Sequence, residues 1–193
     1  MFGIRGASAR ALAAALASVA LLMACATPSP SPADRAYSGR FSVTTALGEQ
    51  RESVSGRFSL EVRGQQQILE LASPLGTTVA RIEIEPGGAR ATGARMQEVR
   101  GADADALTEQ LLGWRLPVSG LADWIEGRPV PQRVARIERD GERIVLMEQD
   151  GWMIRLSEYF ESSAHPRRLV LERPAGANTP SVILRLIVDQ PSG

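Results

Sequence analysis

The sequence contains few side chains that could carry out chemistry, and the rarest are one cysteine, Cys25, and one histidine, His165. A single cysteine excludes an internal disulfide, a cysteine-based zinc site and a cysteine-ligated iron–sulfur cluster. His165 would have to be the base of any Ser–His pair, yet it lies in the loop-like segment Ser162-Ser163-Ala164-His165-Pro166. The sequence has no Gly-x-Ser-x-Gly elbow, Walker loop or Gly-x-Gly-x-x-Gly motif. We therefore expect a protein that is not an enzyme and that uses no metal or cofactor.

The first 24 residues are typical of a secretory signal peptide. Arg5 and Arg10 give a positive start, and residues 11–24 are almost entirely Ala, Leu, Val and Met. A helix of that length spans about 21 Å, less than the roughly 30 Å hydrocarbon core of a bilayer, so a cleaved signal is favoured over a transmembrane helix. The segment ends in Leu22-Met23-Ala24-Cys25, which resembles a bacterial lipobox. The resemblance implies cleavage before Cys25, a diacylglycerol thioether on its sulfur and an acyl group on its new amino terminus.

Residues 25–38 are predicted to tether the lipidated cysteine to a folded domain at residues 39–193. The tether is rich in Pro and Ser, which favours an extended chain. The full chain has 22 basic and 22 acidic residues, and loss of the signal peptide removes Arg5 and Arg10. The mature chain is then slightly acidic, which argues against nucleic acid as a partner and against electrostatic attraction as the main membrane anchor. Ala26 occupies the position at which the enteric sorting rule places Asp in inner-membrane lipoproteins, so the outer membrane is favoured.

From residue 39 onward the hydrophobic pattern is mainly that of antiparallel β-strands. Apolar and polar residues alternate, and turn composition recurs between the alternating runs, as at Pro86-Gly87-Gly88, Asp140-Gly141 and Asp150-Gly151. About eleven strands are predicted. Helical spacing appears only at residues 103–112 and 119–126, between the first five or six strands and the last five. Because the hairpins are too short for parallel crossovers, we expect a curved antiparallel sheet or barrel with a helical insertion.

Two short helices cover less area than the apolar face of such a sheet exposes. Either the sheet closes and fills its interior with side chains, or a cavity remains beneath the helices. The alternation alone leaves both possibilities open.

An ordered set of segments runs from residue 39 to residue 188. The segments are Gly39-Arg40-Phe41-Ser42-Val43, Gly56-Arg57-Phe58-Ser59-Leu60, the strand–loop–strand Leu69-Glu70-Leu71-Ala72-Ser73-Pro74-Leu75-Gly76-Thr77, the helical segment from Leu116-Pro117 through Trp124-Ile125 to Gly127-Arg128-Pro129, the hairpin Gln149-Asp150-Gly151-Trp152, and Pro166-Arg167-Arg168-Leu169. Each segment alone is unspecific. In this order and behind a lipobox they resemble the outer-membrane lipoprotein receptor family LolB.

The resemblance implies a LolA/LolB-like fold, an incomplete antiparallel β-barrel of eleven strands with a short α-helical lid over a hydrophobic cavity. It also implies a lipid-anchored receptor on the periplasmic side of the outer membrane. Such a receptor accepts acylated lipoproteins from the periplasmic carrier LolA and inserts them into the inner leaflet without ATP. The expected partners are this carrier, its cargo and outer-membrane lipid, and a monomer is expected. One departure is the short stretch between Cys25 and Gly39, which is longer in relatives.

Two groups of residues are predicted to carry this function. Ser73-Pro74-Leu75-Gly76 has the composition of a type I turn with Leu75 at its tip. The resemblance implies that this loop, Pro74, Leu75 and Gly76, delivers cargo into the membrane. The acyl chains are expected to contact apolar, unreactive side chains, with these candidates: Leu60, Leu71, Ile82, Leu107, Leu111, Leu121, Trp124, Ile125, Trp152 and Ile154.

Two other classes of function stay open at this point. A structural or assembly lipoprotein would bind protein partners through a filled domain. A carrier of another amphiphile, such as a phospholipid or glycolipid, would share the cavity. Binding of acyl probes in the interior would separate the structural class from the carriers.

Overall fold

The computed structural model describes residues 33–94, 96–161 and 163–189. The predicted signal peptide, Cys25 and most of the predicted tether lie outside the described residues. Residues 33–193 form one compact unit of the chain. The sheet, the two helices and the buried core of the described residues all belong to this unit. This unit therefore holds its own core, which is the requirement for independent folding.

Eleven strands form a single antiparallel sheet. Their order is β6-β5-β4-β3-β2-β1-β11-β10-β9-β8-β7, so β6 and β7 are the two edges and do not pair with each other. This open sheet confirms the prediction of a mainly β, incomplete antiparallel fold with about eleven strands. The strands are β1 Arg35–Leu47, β2 Gln50–Arg63, β3 Gln66–Ala72, β4 Thr78–Glu85, β5 Gly88–Gly93, β6 Met96–Gly101, β7 Ala135–Asp140, β8 Arg143–Gln149, β9 Trp152–Tyr159, β10 Pro166–Arg173 and β11 Ser181–Val188.

Two helices connect the edge strands, α1 at Ala104–Leu112 and α2 at Val118–Ile125. The side chain of Asp103 accepts a hydrogen bond from the Ala106 N–H at 2.7 Å and caps the start of α1. Gly113 ends α1 with a φ of 76°, in the left-handed region that favours glycine. The predicted range 119–126 for the second helix is wrong by one residue at each end, because Val118 is already helical and Glu126 caps the helix.

The inner face of the sheet packs against the helices. Inward-facing side chains such as Leu60, Leu171 and Val182 are fully buried, and so is Trp124 of α2. Burial of each large apolar side chain contributes about 1.5–3 kcal/mol, so this interface holds the helices on the sheet.

The first strand begins earlier than predicted. β1 starts at Arg35, and the Asp34 N–H donates to the carbonyl oxygen of Val62 at 2.9 Å. Residues 35–38, assigned above to the tether, therefore belong to the sheet, and the domain boundary at residue 39 is wrong. Tyr37 is the only large apolar side chain in residues 35–38, so the segment is too short for an alternating pattern to be recognised in the sequence.

One end of the sheet combines uncharged loops with exposed apolar side chains. Because neighbouring strands are antiparallel, the turns after β1, β3, β5, β8 and β10 lie at one end, which we call the Leu75 end, and the chain enters the sheet at the other. Residues 72–80 and 174–180 at the Leu75 end contain no charged residue. Large apolar side chains are also exposed there, namely Leu47, Val54, Leu75, Val79 and Val134.

Candidate functional site

The loop between β3 and β4 presents a leucine to solvent. The Gly76 N–H donates to the Ser73 carbonyl at 2.9 Å, and the Ser73 N–H donates to the Thr77 carbonyl at 2.8 Å. These bonds close a tight turn with Pro74 at its second position, where its fixed φ suits the turn. Leu75 follows at the tip, and its side chain is 96% exposed.

An apolar pocket of about 280 Å³ lies between α1 and the inner face of β3, β4, β5 and β6, at the Leu75 end. Its one polar side chain, Thr108, accepts a hydrogen bond from the Leu116 N–H at 2.9 Å and donates to the Asp105 carbonyl at 3.0 Å. The hydroxyl is therefore already paired, and the pocket presents mainly hydrocarbon. The lining residues are Leu71, Val79, Ala80, Ile82, Ala91, Met96, Thr108, Leu111, Leu112 and Leu116.

The predicted acyl-chain residues divide into two groups. Leu71, Ile82 and Leu111 line the pocket. The others lie in the buried core and not at the pocket, and they are Leu60, Leu107, Leu121, Trp124, Ile125, Trp152 and Ile154. The pocket thus lies under α1, whereas Trp124 and Ile125 of α2 are themselves buried in the core, and contact of the candidate residues with acyl chains stays a prediction.

A buried glutamine that was not predicted from the sequence holds α2 in place. Gln149, at the end of β8, is 3% exposed. Its Oε1 accepts hydrogen bonds from the indole N–H of Trp124 and from the Val130 N–H, both at 2.8 Å, and its Nε2 donates to the Val130 carbonyl at 3.2 Å. Its position in the sequence could have indicated this role, because Gln149 lies at an inward-facing position where the alternating pattern predicts an apolar residue.

The family model described as outer membrane lipoprotein LolB matches residues 34–190, from the start of β1 to just past the end of β11. The chain belongs to the LolB family. It is similar to the outer-membrane lipoprotein LolB of Cupriavidus pinatubonensis, with 38% identity over 81% of this chain and 79% of the relative. The LolB of Bordetella petrii is 39% identical over 82% of this chain and 80% of the relative. A solved LolA superfamily protein from Nitrosomonas europaea aligns with a TM-score of 0.47 and 8% identity, over 82% of this chain and 86% of that chain.

A charged cluster in this LolB-family sheet joins the start of β1 to the end of α2. The Glu126 carboxylate accepts hydrogen bonds from the Tyr37 hydroxyl, from Arg35 Nη1 at 2.8 Å and from Arg128 Nε at 2.6 Å. Burial acts to raise the pKa of Glu126, but the three donors outweigh it and lower that pKa to about 2. Burial and the hydrogen bond to Glu126 raise the pKa of Tyr37 above its ordinary value. The carboxylate is therefore charged at neutral pH and holds α2 against β1.

The remaining predicted features lie away from the pocket or outside the described residues. His165 is in the loop between β9 and β10, at the end of the sheet opposite Leu75. In the described part of this LolB-family chain, no cluster of His, Cys, Asp and Glu side chains is arranged to hold a metal ion. No helix of residues 33–189, leaving aside positions 95 and 162, is long and apolar enough to span a membrane. Cys25 precedes the described residues.

Proposed function

We propose that this chain is an outer-membrane lipoprotein receptor that accepts acylated lipoproteins from a LolA-like periplasmic carrier and inserts them into the inner leaflet of the outer membrane. It acts as a binding protein and not as an enzyme. The observation that carries the proposal is the apolar pocket beside an exposed leucine loop, at one end of a LolB-family sheet.

Lipoprotein transfer through an aqueous compartment requires a protein site that binds hydrocarbon. Each acyl CH₂ group exposed to water costs about 0.8 kcal/mol, so three chains of about fifteen such groups would cost roughly 36 kcal/mol. A lipoprotein therefore stays with a protein or a membrane at every step. Transfer without ATP lowers the free energy at each step if the pocket binds the acyl chains more tightly than the carrier does and less tightly than the bilayer does.

Helix α1 is the element that would admit the cargo. The pocket of about 280 Å³ is slightly below the roughly 300–1,000 Å³ of typical small-molecule sites, so it has room for part of one chain but not for three. Full loading then requires α1 to move away from the sheet. α1 buries only Ala104, Leu107 and Thr108, whereas α2 buries six residues and is also held by Gln149. α1 is therefore the more weakly held helix.

The Leu75 loop would deliver the cargo. An exposed leucine forgoes about 1.5–3 kcal/mol of burial, which it recovers when it enters the acyl region of a bilayer. Because residues 72–80 carry no charge, the loop can approach a membrane without desolvating an ion. Membrane delivery by Pro74, Leu75 and Gly76 is thus consistent with their exposure.

The anchor belongs to this proposal as well. Lipidation of Cys25 would fix the protein to the outer membrane with the domain on the periplasmic side, and several acyl chains give stable attachment. With β1 starting at Arg35, nine residues separate the anchor from the sheet. We propose that the receptor works as a monomer.

The test separates cargo acceptance from cargo insertion. A lipoprotein-loaded carrier is mixed first with the receptor and then with liposomes, and the cargo in each fraction is measured. We expect Leu75→Glu to accept cargo like the wild type but to insert it at least about tenfold more slowly, from the lost burial of leucine in the bilayer.

Val134→Glu is the matched control, because Val134 is also at the Leu75 end and is 92% exposed, but lies outside the loop. It should accept and insert cargo normally. Failure of the wild-type receptor to take cargo from the carrier would refute the proposed function. Normal insertion by Leu75→Glu would refute the role of the loop.

A further inference from the structure

The outer face of β1, β2 and β11 carries four arginines that form no ion pair with the described residues, and three of them, Arg40, Arg57 and Arg185, lie close together. Arg40, Arg57 and Arg185 are all exposed. None of them forms an ion pair within residues 33–94, 96–161 and 163–189. By contrast, Arg155 and Arg168 on the same face pair with glutamates at 2.9 Å and 2.7 Å. The three arginines therefore present free positive charge.

The sheet register brings these arginines together. Arg40 lies directly opposite Arg57 on β2. Ser42, two residues after Arg40, lies directly opposite Arg185 on β11. Like charges at directly opposed positions of neighbouring strands destabilise a sheet. We call this cluster of Arg40, Arg57 and Arg185 the arginine patch.

The surroundings of the patch do not neutralise it. The residues two positions away along β1 and β2 are all serines, namely Ser38, Ser42, Ser55 and Ser59. Glu70, Glu172 and Asp189 occupy diagonal positions in the register. Glu70 pairs with Arg81 and Glu172 pairs with Arg155, so among these described neighbours only the Asp189 carboxylate, which accepts a hydrogen bond from Ser38 at 3.4 Å, opposes the three positive charges. The patch is thus a basic surface with hydroxyl groups around it.

The patch adjoins the Leu75 loop. Arg57 pairs with Ala72, the last residue of β3 before the loop begins. The basic surface therefore lies next to the end of β3, where the uncharged loop with Leu75 at its tip begins. An acidic protein would complement the arginines alone, whereas a bilayer with anionic lipids complements both features, since it offers phosphate groups at its surface and hydrocarbon below.

We propose that the arginine patch binds the phosphate groups of anionic phospholipids when the Leu75 loop contacts the bilayer. The guanidinium group forms planar, bidentate hydrogen bonds that match phosphate oxygens. The inference rests on the proposed function in one respect, namely that the Leu75 loop faces a membrane. It adds a lipid class and an orientation, with the outer face of β1, β2 and β11 turned towards the headgroups.

The near-neutral charge of the whole chain does not oppose this binding. Charges interact appreciably only within a Debye length of about 8 Å at physiological salt, so the local cluster acts largely independently of distant acidic residues. The patch would orient a domain whose acyl anchor supplies the attachment.

The test measures how residues 33–193, the unit that contains the complete sheet and core, partition into vesicles without any cargo. One set of vesicles is pure phosphatidylcholine, and the other also contains phosphatidylglycerol. We expect Arg40→Gln/Arg57→Gln to weaken partition into the anionic vesicles about thirtyfold, from about 1 kcal/mol for each basic residue near an anionic surface. Partition into neutral vesicles should not change.

Arg90→Gln/Arg100→Gln is the matched control, because Arg90 and Arg100 are also directly opposed arginines on neighbouring strands, but each is already paired with a glutamate and lies away from the patch. An equal loss in this control would overturn the proposal, since net charge alone would then explain the effect. Thermal unfolding checks the fold, and loss of the opposed Arg40–Arg57 pair should not lower Tm.

Acceptance of cargo from the loaded carrier is measured separately, without vesicles. Reduced acceptance by Arg40→Gln/Arg57→Gln with unchanged vesicle partition would overturn the proposal, because the patch would then dock an acidic protein. If the wild type accepts no cargo but partitions as expected, the proposed function fails while the lipid site stands.

Discussion

Replacing Gln149 by leucine should loosen α2 from the sheet. In the wild type the buried side-chain amide of Gln149 accepts hydrogen bonds from the Trp124 indole N–H and the Val130 N–H. It also donates hydrogen bonds to the carbonyl groups of Val130 and Arg133. Leucine has a similar size but neither accepts nor donates hydrogen bonds. Two buried N–H groups, on Trp124 and Val130, are then left without their acceptor.

The magnitude follows from these two donors. A buried polar group left unsatisfied costs about 1–3 kcal/mol, so Gln149→Leu should lower the free energy of unfolding by about 2–6 kcal/mol. In a domain of this size 1 kcal/mol corresponds to about 2–4 °C, which predicts a fall in Tm of roughly 4–24 °C.

Thermal and urea unfolding of residues 33–193 would measure the change. Gln67→Leu is the matched control, because the Oε1 atom of Gln67 is buried without a hydrogen-bond partner and its loss should cost little. Trp124→Phe in the Gln149→Leu background should cost less than in the wild type, since the indole N–H has then already lost its acceptor. A Gln149→Leu domain as stable as the wild type would refute the view that this amide holds α2.

Two further predictions concern the charged cluster and the pocket. The lowered pKa of Glu126, about 2, means that this carboxylate stabilises the fold above its ordinary pKa of about 4.5. The stability difference between wild type and Glu126→Gln should therefore shrink as the pH falls from about 5 towards 2, and urea unfolding at several pH values that showed a constant difference would contradict the assignment. Ala80 lines the pocket, so Ala80→Phe should fill it and reduce binding of a fluorescent fatty-acid probe while Leu75→Glu binds the probe normally. Unchanged probe binding by Ala80→Phe in a correctly folded domain would place acyl binding elsewhere.

Local sequence rules were sufficient to predict most of the sheet. Apolar residues such as Ile82 and Ile84 alternate with charged neighbours, and Asp150-Gly151 supplies a turn, so the strands and hairpins follow from period and turn chemistry. Gly113 likewise marks the end of α1. The start of β1 was not predicted because residues 35–38 contain only one large apolar side chain, that of Tyr37.

The pocket could not be located from the sequence in the same way. Alternation shows that Leu71 and Trp152 face inward, but it does not show what lies opposite each of them. Trp152 is buried in the core, whereas Leu71 lies at the pocket beneath α1. The hydrogen bonds of Gln149 were equally unpredictable, because its partners Trp124 and Val130 are brought to it only by the tertiary fold.

The unpaired edges of the sheet have a consequence for cargo of different sizes. In a closed barrel, widening the interior breaks a ladder of backbone hydrogen bonds, because every strand has two neighbours. Here β6 and β7 can move apart while all ten strand pairings persist. The interior of the sheet can therefore widen with the loss of helix–sheet contacts alone. Both edge strands are only six residues long and carry charged side chains, such as Arg100 on β6 and Glu138 on β7. Short, charged edges discourage the addition of a strand from another molecule, so the same gap that allows expansion is protected against aggregation.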